Sequence, residues 1–275
     1  VVLWVDTFNN HFHPEILKAA VEVLEAAGHK VIIPEDNLCC GRPLYDFGML
    51  DYAKELLAKI LISLRPHIRA ELPIIGLEPS CVSVFRDELK RLFPFDQDAD
   101  RLSKRVVTFS EFFSKYSDFR FPRLHQRALV HGHCHDKAVM KMDGTPEFLK
   151  HLGLEFKVLD SGCCGMAGSF GFEAEHYEVS IRCGERILLP TVRETDDKTL
   201  LIADGFSCRE QIEQLAHRRA LHTAEVAAKA LREGSYQNDE GHKIQEPHTI
   251  PEMQEQSELK NRTHAEPMEI GHEHK

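Results

Sequence analysis

Residues Asp160 to Glu173 read DSGCCGMAGSFGFE, with the adjacent Cys163 and Cys164 between glycines, just after the apolar run Glu155 to Leu159. Neighbouring cysteines bond poorly to each other, and glycine on both sides lets the backbone wrap tightly around whatever two thiolates hold. That suits a metal cluster. The same triplet recurs as Cys39, Cys40 and Gly41 in NLCCGRPLYDFG, and a repeated motif predicts a repeated fold.

Working outward, every cysteine of this kind follows a short apolar run. Ala128 to Val130 leads into His131, Gly132, His133, Cys134 and His135, and Thr199 to Ala203 leads into Asp204, Gly205, Phe206, Ser207 and Cys208. In the first half Val1 to Val5, Val31 to Ile33 and Pro73 to Leu77 stand in the same relation to Thr7, to Cys39 with Cys40, and to Cys81. The registers nearly match: 41 residues separate Cys40 from Cys81 and 44 separate Cys164 from Cys208, while Thr7 to Cys39 is 32 and Cys134 to Cys163 is 29.

Helical periodicity fills the intervals. It runs over Glu15 to Ala27 before Gly28, Tyr45 to Leu64 stopping before Pro66, Val82 to Leu92, and from His135 to about Leu152. It resumes over Ala174 to Leu189 up to Pro190, Arg209 to Leu215 and Ala220 to Leu231, while the charged stretch 93–105 reads as a surface connection. Strands alternating with helices predict parallel sheets. The predicted fold class is α/β, built as a pseudo-twofold pair of parallel, Rossmann-like halves over residues 1–120 and 121–232, each carrying a CCG motif. Residues 233–275 are predicted to be a disordered polar tail, because a segment so poor in apolar residues buries too little to offset its ordering entropy.

Composition narrows the partners. The 275 residues carry a net charge of −10, and Gly234 to Lys275 holds nine acidic and four basic residues, so half of that charge lies outside the predicted halves. No basic run or face marks a nucleic-acid surface. No apolar stretch approaches the roughly 20 residues of a membrane helix. The expected location is cytoplasmic, peripheral to a membrane only through partners. The chain opens on VVLWVD without methionine, which predicts a piece of a longer polypeptide.

Eight cysteines in such a chain read first as metal-binding or redox groups. Cys134, Cys163, Cys164 and Cys208 arise from three strand ends, and four thiolates suffice for one iron–sulfur cluster. The competing readings are buried small hydrophobes and a zinc site, although zinc usually draws its pairs from C-x₂₋₄-C knuckles, which this chain lacks. Cys39, Cys40 and Cys81 form the first half's set, with Thr7 where the second half has Cys134. Either Asp6, Glu78, His11 or His13 completes that set, or this half binds nothing. His131, His133 and His135 alternate around Cys134 as ordinary loop histidines or as hydrogen-bond donors to cluster sulfurs, His133 and His135 being the chosen donors. Gly165 is expected to let the backbone pack closely beside the cysteines. Gly165, Gly168 and Gly171 do not have the spacing of a dinucleotide fingerprint. Cys183, inside a helix pattern, is expected to be structural, and no catalytic residue is assigned.

With LCCGRP, EPSC, GHCH, SGCCGMAGSFGFE and ADGFSCREQI in that order, the chain resembles the cysteine-rich CCG domain family over residues 1 to about 232. In particular it resembles the C-terminal iron–sulfur portion of FAD-linked oxidases of the glycolate oxidase and D-lactate dehydrogenase kind, and more distantly the cysteine-rich subunit of heterodisulfide reductase. The family motif reads Cys, then CCG, then C-x-x-C. Here the last pair keeps only its second cysteine in both halves, with Glu78 and Gly205 at the first position, and Thr7 replaces the first half's opening cysteine. The resemblance implies an iron–sulfur electron-transfer module, expected to hold a 4Fe–4S cluster, in an oxidoreductase acting on a 2-hydroxy acid of the lactate or glycolate type. FAD would lie in a missing upstream part, and a flavin domain or subunit and a ferredoxin-like domain would be the partners. The alternative is a degenerate cysteine-rich scaffold, or a zinc-binding module, that docks a flavin domain.

Overall fold

Parallel pairing organises the computed structural model, which describes residues 1–236. In the first half β1 (Val2–Trp4), β2 (Ile74–Gly76) and β3 (Val106–Thr108) pair in the order β1-β2-β3, with Val2 opposite Ile74 and Ile74 opposite Val106. In the second half β4 (Arg127–Val130) lies between β5 (Glu155–Val158) and β6 (Leu200–Ile202), all parallel. Single bridges complete the likeness, Ile32 beside Val2 and Leu221 beside Ile202. Counted from the start of each half, both sheets therefore run second, first, third, fourth.

The expected strand at Val31 to Ile33 is thus one bridge, since Ile33 is turned into solvent and only Ile32 meets the sheet. The other runs are strands as read.

The helices follow from local chemistry. Asp6 caps α1 (Thr7–His11) by accepting from Asn9 N at 2.9 Å, and Pro14 opens α2 (Pro14–Ala26), where its missing N–H costs nothing. Short α3 (Arg42–Asp46) follows Gly41, whose φ of +77° few other residues adopt. The long α4 (Leu50–Arg69) passes through Pro66 instead of stopping before it. Ile68 is fully buried beyond the proline, and Arg65 and Arg69 both bind Asp98 on the next helix, so tertiary contacts outweigh one lost backbone bond. Past β2, α5 (Pro79–Ser83) runs through a π-helical turn, Val84–Glu88, into α6 (Leu89–Leu92).

The stretch read as a surface connection contains α7 (Gln97–Arg105). Its apolar stripe is only Ala99 and Leu102, and the rest of its anchorage is the buried Asp98, which composition hides. After β3 comes α8 (Phe109–Lys115), started by a capping box of Thr108 and Glu111.

In the second half a π-helical turn, Asp136–Met140, and α9 (Thr145–His151) replace the one helix expected up to Leu152. The single helix expected up to Pro190 divides into α10 (Tyr177–Gly184) and α11 (Leu188–Glu194). Pro190 sits in the first turn of α11, where a backbone donor has no helical partner in any case. The described residues close with α12 (Phe206–Ala216) and α13 (Thr223–Glu233). Of the predicted tail, Ser235 bridges Arg123, and residues 237–275 lie outside the described residues.

The two halves share their largest core. Leu3, Ile16 and Phe112 of the first half and Phe148, Ala224 and Ala227 of the second belong to one buried cluster. Phe109, Phe113, Phe121 and Phe148 interlock at centroid distances of 4.9 to 5.8 Å. α13, the last helix, packs along α2, one of the first. Phe148→Ala is therefore expected to lower stability by about 3–5 kcal/mol and to leave one denaturant transition, followed by far-ultraviolet circular dichroism and by Trp4 fluorescence. Separate transitions for the two probes would show that the halves unfold independently.

Candidate metal centre

Parallel strands present their carboxyl ends on one edge, and in open α/β sheets ligands bind there, where the strand order reverses. In the second half that point lies between β4 and β6. Cys134 follows β4, Cys208 sits in the first turn of α12 after β6, and Cys163 with Cys164 follows β5. The four side chains are neighbours there: Cys163 stands near both Cys134 and Cys164, and Cys164 near Cys208, each close enough to shift the next one's titration.

Close backbone packing shapes that row. Gly165 has φ +103°, and a Cβ there would stand 2.1 Å from the Ser180 carbonyl oxygen on α10. Only glycine lets α10 lie this close. Gln211 Nε2 on α12 donates to the Cys164 carbonyl at 3.0 Å, and Lys137 Nζ donates to the Ser161 carbonyl, so the turn is tied from both sides. Cys183 lies across the turn, its Cβ 3.2 Å from where a Gly165 Cβ would be. It belongs to the interior of α10 and stands outside the row.

The row divides its protons unevenly. Hydrogen bonds from Cys134 and Cys164 hold the Cys163 thiol far below the usual range, helped by the Gly165 N–H, while Cys134 is pushed far up by the same bond and by burial. Cys208 is also held well below its usual value, first by Cys164 and further by His131 and His133, and Cys164 is pushed well above. The surroundings thus favour the thiolate, the form that binds metal, at Cys163 and Cys208.

Sequence reasoning chose His133 and His135 as donors and passed over His131. His131 is buried behind the row with Nδ1 2.8 Å from Ser161 Oγ, and its ring stands against the Cys208 sulfur. A Ser161 hydroxyl that donates to Nδ1 leaves the ring proton on Nε2, which has no other partner among the described residues. The signal was Ser161 itself, two residues ahead of CCG. His133 Nδ1 accepts from His135 N at 3.2 Å, which places a ring proton on Nε2, and the ring lies over Gly205. His135 lies within the field of Arg42 and of Cys163 and Cys208. Burial first, and then the charges of Arg42 and His133, lower its pKa to about 4, leaving it neutral at pH 7.

The first half repeats the arrangement with Thr7 at its head. Thr7 and Cys40 both act on the Cys39 thiol, and the Cys40 and Cys81 sulfurs are 3.1 Å apart. Its electrostatics are opposite. All three thiols are raised: Cys39 chiefly by its bond with Cys40, and Cys40 by Cys81 and burial despite Cys39. The bond to Cys40 favours a Cys81 thiolate, but burial and the carboxylates of Asp6 and Glu78 outweigh it.

The side chains considered as a fourth donor are engaged elsewhere. Asp6 accepts from Asn9 through both oxygens, Glu78 from Ser80 and Phe206, and His13 is spanned by Glu15 and Glu210. His11 is exposed at the end of α1.

The donor chemistry suits a thiophilic group in the second half. Among the described residues no three Cys, His, Asp or Glu side chains gather about one point as a single ion requires. Four cysteines so gathered, two of them favoured as thiolates, fit a group larger than one tetrahedral ion better than they fit zinc.

Together these features define the chain as an α/β protein of two parallel sheets whose strand ends deliver paired rows of cysteines. Residues 6–86 match the model of the CCG cysteine-rich domain. It is 29% identical over 230 residues, 82% of its length, to a subunit of the anaerobic glycerol-3-phosphate dehydrogenase of Escherichia coli, and spans 57% of that protein. It is 25% identical to D-2-hydroxyglutarate dehydrogenase of Pseudomonas putida, matching 22% of its length, and 29% identical to lactate utilization protein A of Bacillus velezensis, matching 98%.

The uneven protonation has a direct chemical consequence. At pH 7 in metal-free protein, iodoacetamide is expected to label Cys163 before Cys39 and Cys134, which are similarly half-buried but remain thiols; peptide mass spectrometry reads the order. Equal rates at all three would refute the assigned charges.

Proposed function

We propose that this chain is the iron–sulfur electron-transfer module of a FAD-linked oxidoreductase acting on a 2-hydroxy acid of the lactate or glycolate type. One observation carries the reading: four cysteines from three parallel strand ends are brought together at one edge of the sheet. The names of the relatives support it, since they are a dehydrogenase, a dehydrogenase subunit and a lactate utilization protein. A cluster bound there supplies one-electron transfer at a potential set by its ligands and by hydrogen bonds to sulfur.

In this reading Cys134, Cys163, Cys164 and Cys208 hold the cluster, which is of the 4Fe–4S type. His131 and His133 direct N–H groups at its sulfurs, and Gly165 lets α10 close over it. Flavin chemistry belongs to a flavin domain or subunit, with a ferredoxin-like domain between, and this chain turns over no substrate alone. No helix among the described residues is long and apolar enough to cross a membrane, and the proposed place is the cytoplasm, at a membrane only through partners. Cys39, Cys40 and Cys81 are the weaker set, because their thiols are raised and the neighbouring carboxylates are already engaged.

Anaerobically purified protein is expected to be brown, with iron and acid-labile sulfide in equal amounts and absorbance near 400 nm that dithionite bleaches. Cys164→Ser should remove most of the iron and Cys40→Ser much less. Zinc without sulfide would reject the cluster, and equal losses from the two variants would reject the ranking of the halves.

A further inference from the structure

Glu78 and Gly205 occupy the same place in the two halves, three residues before Cys81 and Cys208. Each begins a helix, and their side chains could hardly differ more. The structure explains them as a pair.

At residue 205 the space for a side chain is taken. The His133 ring lies over it, so that a Cβ on Gly205 would be 2.3 Å from His133 Cδ2. Gly205 is the N-cap of α12 and has no side chain to cap it, yet the first N–H groups of a helix have no partner inside the helix. This end is buried, with Phe206 and Cys208 both nearly inaccessible.

The missing acceptor comes from the other half. Glu78, 2% exposed, reaches across with Oε2 to accept from Phe206 N at 2.8 Å, while Oε1 accepts from Ser80 Oγ at 2.6 Å and Ser80 N at 3.2 Å. A carboxylate is the favoured group at that end of a helix. Two more first-half residues hold the same turn: the Phe8 ring stacks on Phe206 at 4.6 Å, and Asn9 Oδ1 accepts from Arg209 Nη2 at 3.0 Å. Residues on both sides of Cys208 are thus fixed by α1 and the β2–α5 loop of the first half.

We propose that Glu78 is a positioning residue for Cys208, and that the first half is a template that fixes the second half's sulfurs whether or not it holds a metal itself. Its relevance to a cluster rests on the proposed function; its geometry does not. Glu78 bears on Cys208 through the Phe206 N–H, and the His133 ring that excludes a side chain at 205 is what makes a cap from the other half necessary.

Glu78→Ala and Glu78→Gln in the full chain test this, the glutamine keeping one acceptor oxygen for Phe206 N. In metal-free protein Glu78→Ala is expected to speed alkylation of Cys208, and hydrogen exchange across the first turn of α12, about tenfold, which corresponds to one buried donor left unpaired. Cys163 labelling should stay as in the parent, and Glu78→Gln should fall between. In anaerobically purified protein Glu78→Ala should retain several-fold less iron, whereas Cys81→Ser should retain nearly all of it. Parent-like Cys208 labelling and α12 exchange in Glu78→Ala would overturn the proposal. So would a uniform rise over all four cysteines with loss of helical circular dichroism in both variants, since that is a general folding defect. A parent protein without iron would refute the cluster and leave the Cys208 labelling test standing.

Discussion

Parallel strand pairing is the constraint from which the rest of this molecule follows. Once β4 lies between β5 and β6 with all three running one way, the loops after them leave the sheet on a single edge. Cysteines 29 and 74 residues beyond Cys134 are thereby brought beside it without any local ligand knuckle. The first half obeys the same constraint with the same strand order, which is why Thr7 stands at the head of its row and meets Cys39 as Cys134 meets Cys163. The likeness is one of geometry; the charge is reversed. In the second half neighbouring cysteines, and then histidines, pull Cys163 and Cys208 down while Cys134 and Cys164 rise, whereas all three thiols of the first half rise, Cys81 in part through the carboxylates of Asp6 and Glu78.

The halves are joined by more than a shared apolar core. His222 Nε2 is 2.9 Å from the Leu77 carbonyl oxygen while its Nδ1 accepts from the first turn of α13, so one imidazole links the end of β2 to a second-half helix. Buried carboxyls gather along the same seam. Asp6 is raised to about 6 by burial and by Glu78, and Asp136 to about 7 by burial, Asp204 and Glu111. Each half withdraws carboxylates that would otherwise stand as free donors. Hydrogen bonds across such a seam fix one relative placement where apolar packing alone would allow several.

Much of this was legible in the sequence. Doubled CCG triplets at matching registers after apolar runs disclosed the parallel sheets, because strand period and loop chemistry are local properties. Misreadings fell where a distant contact overrode a local rule. Pro66 did not end α4, since Asp98 and the core hold the turn beyond it, and α7 escaped notice because one buried aspartate does the anchoring that apolar residues usually do.

By itself the sequence determined the fold class, the two sets of cysteines and the absence of a fourth thiol in the first half, all of which depend on residue type and spacing. Only the tertiary structure decided which thiols are pulled down and which pushed up, that His131 is tied to Ser161 beside Cys208, and that Glu78 serves the other half as well as its own. The physical reason is common to the three. Protonation and hydrogen bonding depend on distance and burial, and those are set by the packing of residues more than a hundred positions apart, as Glu78 is from Phe206.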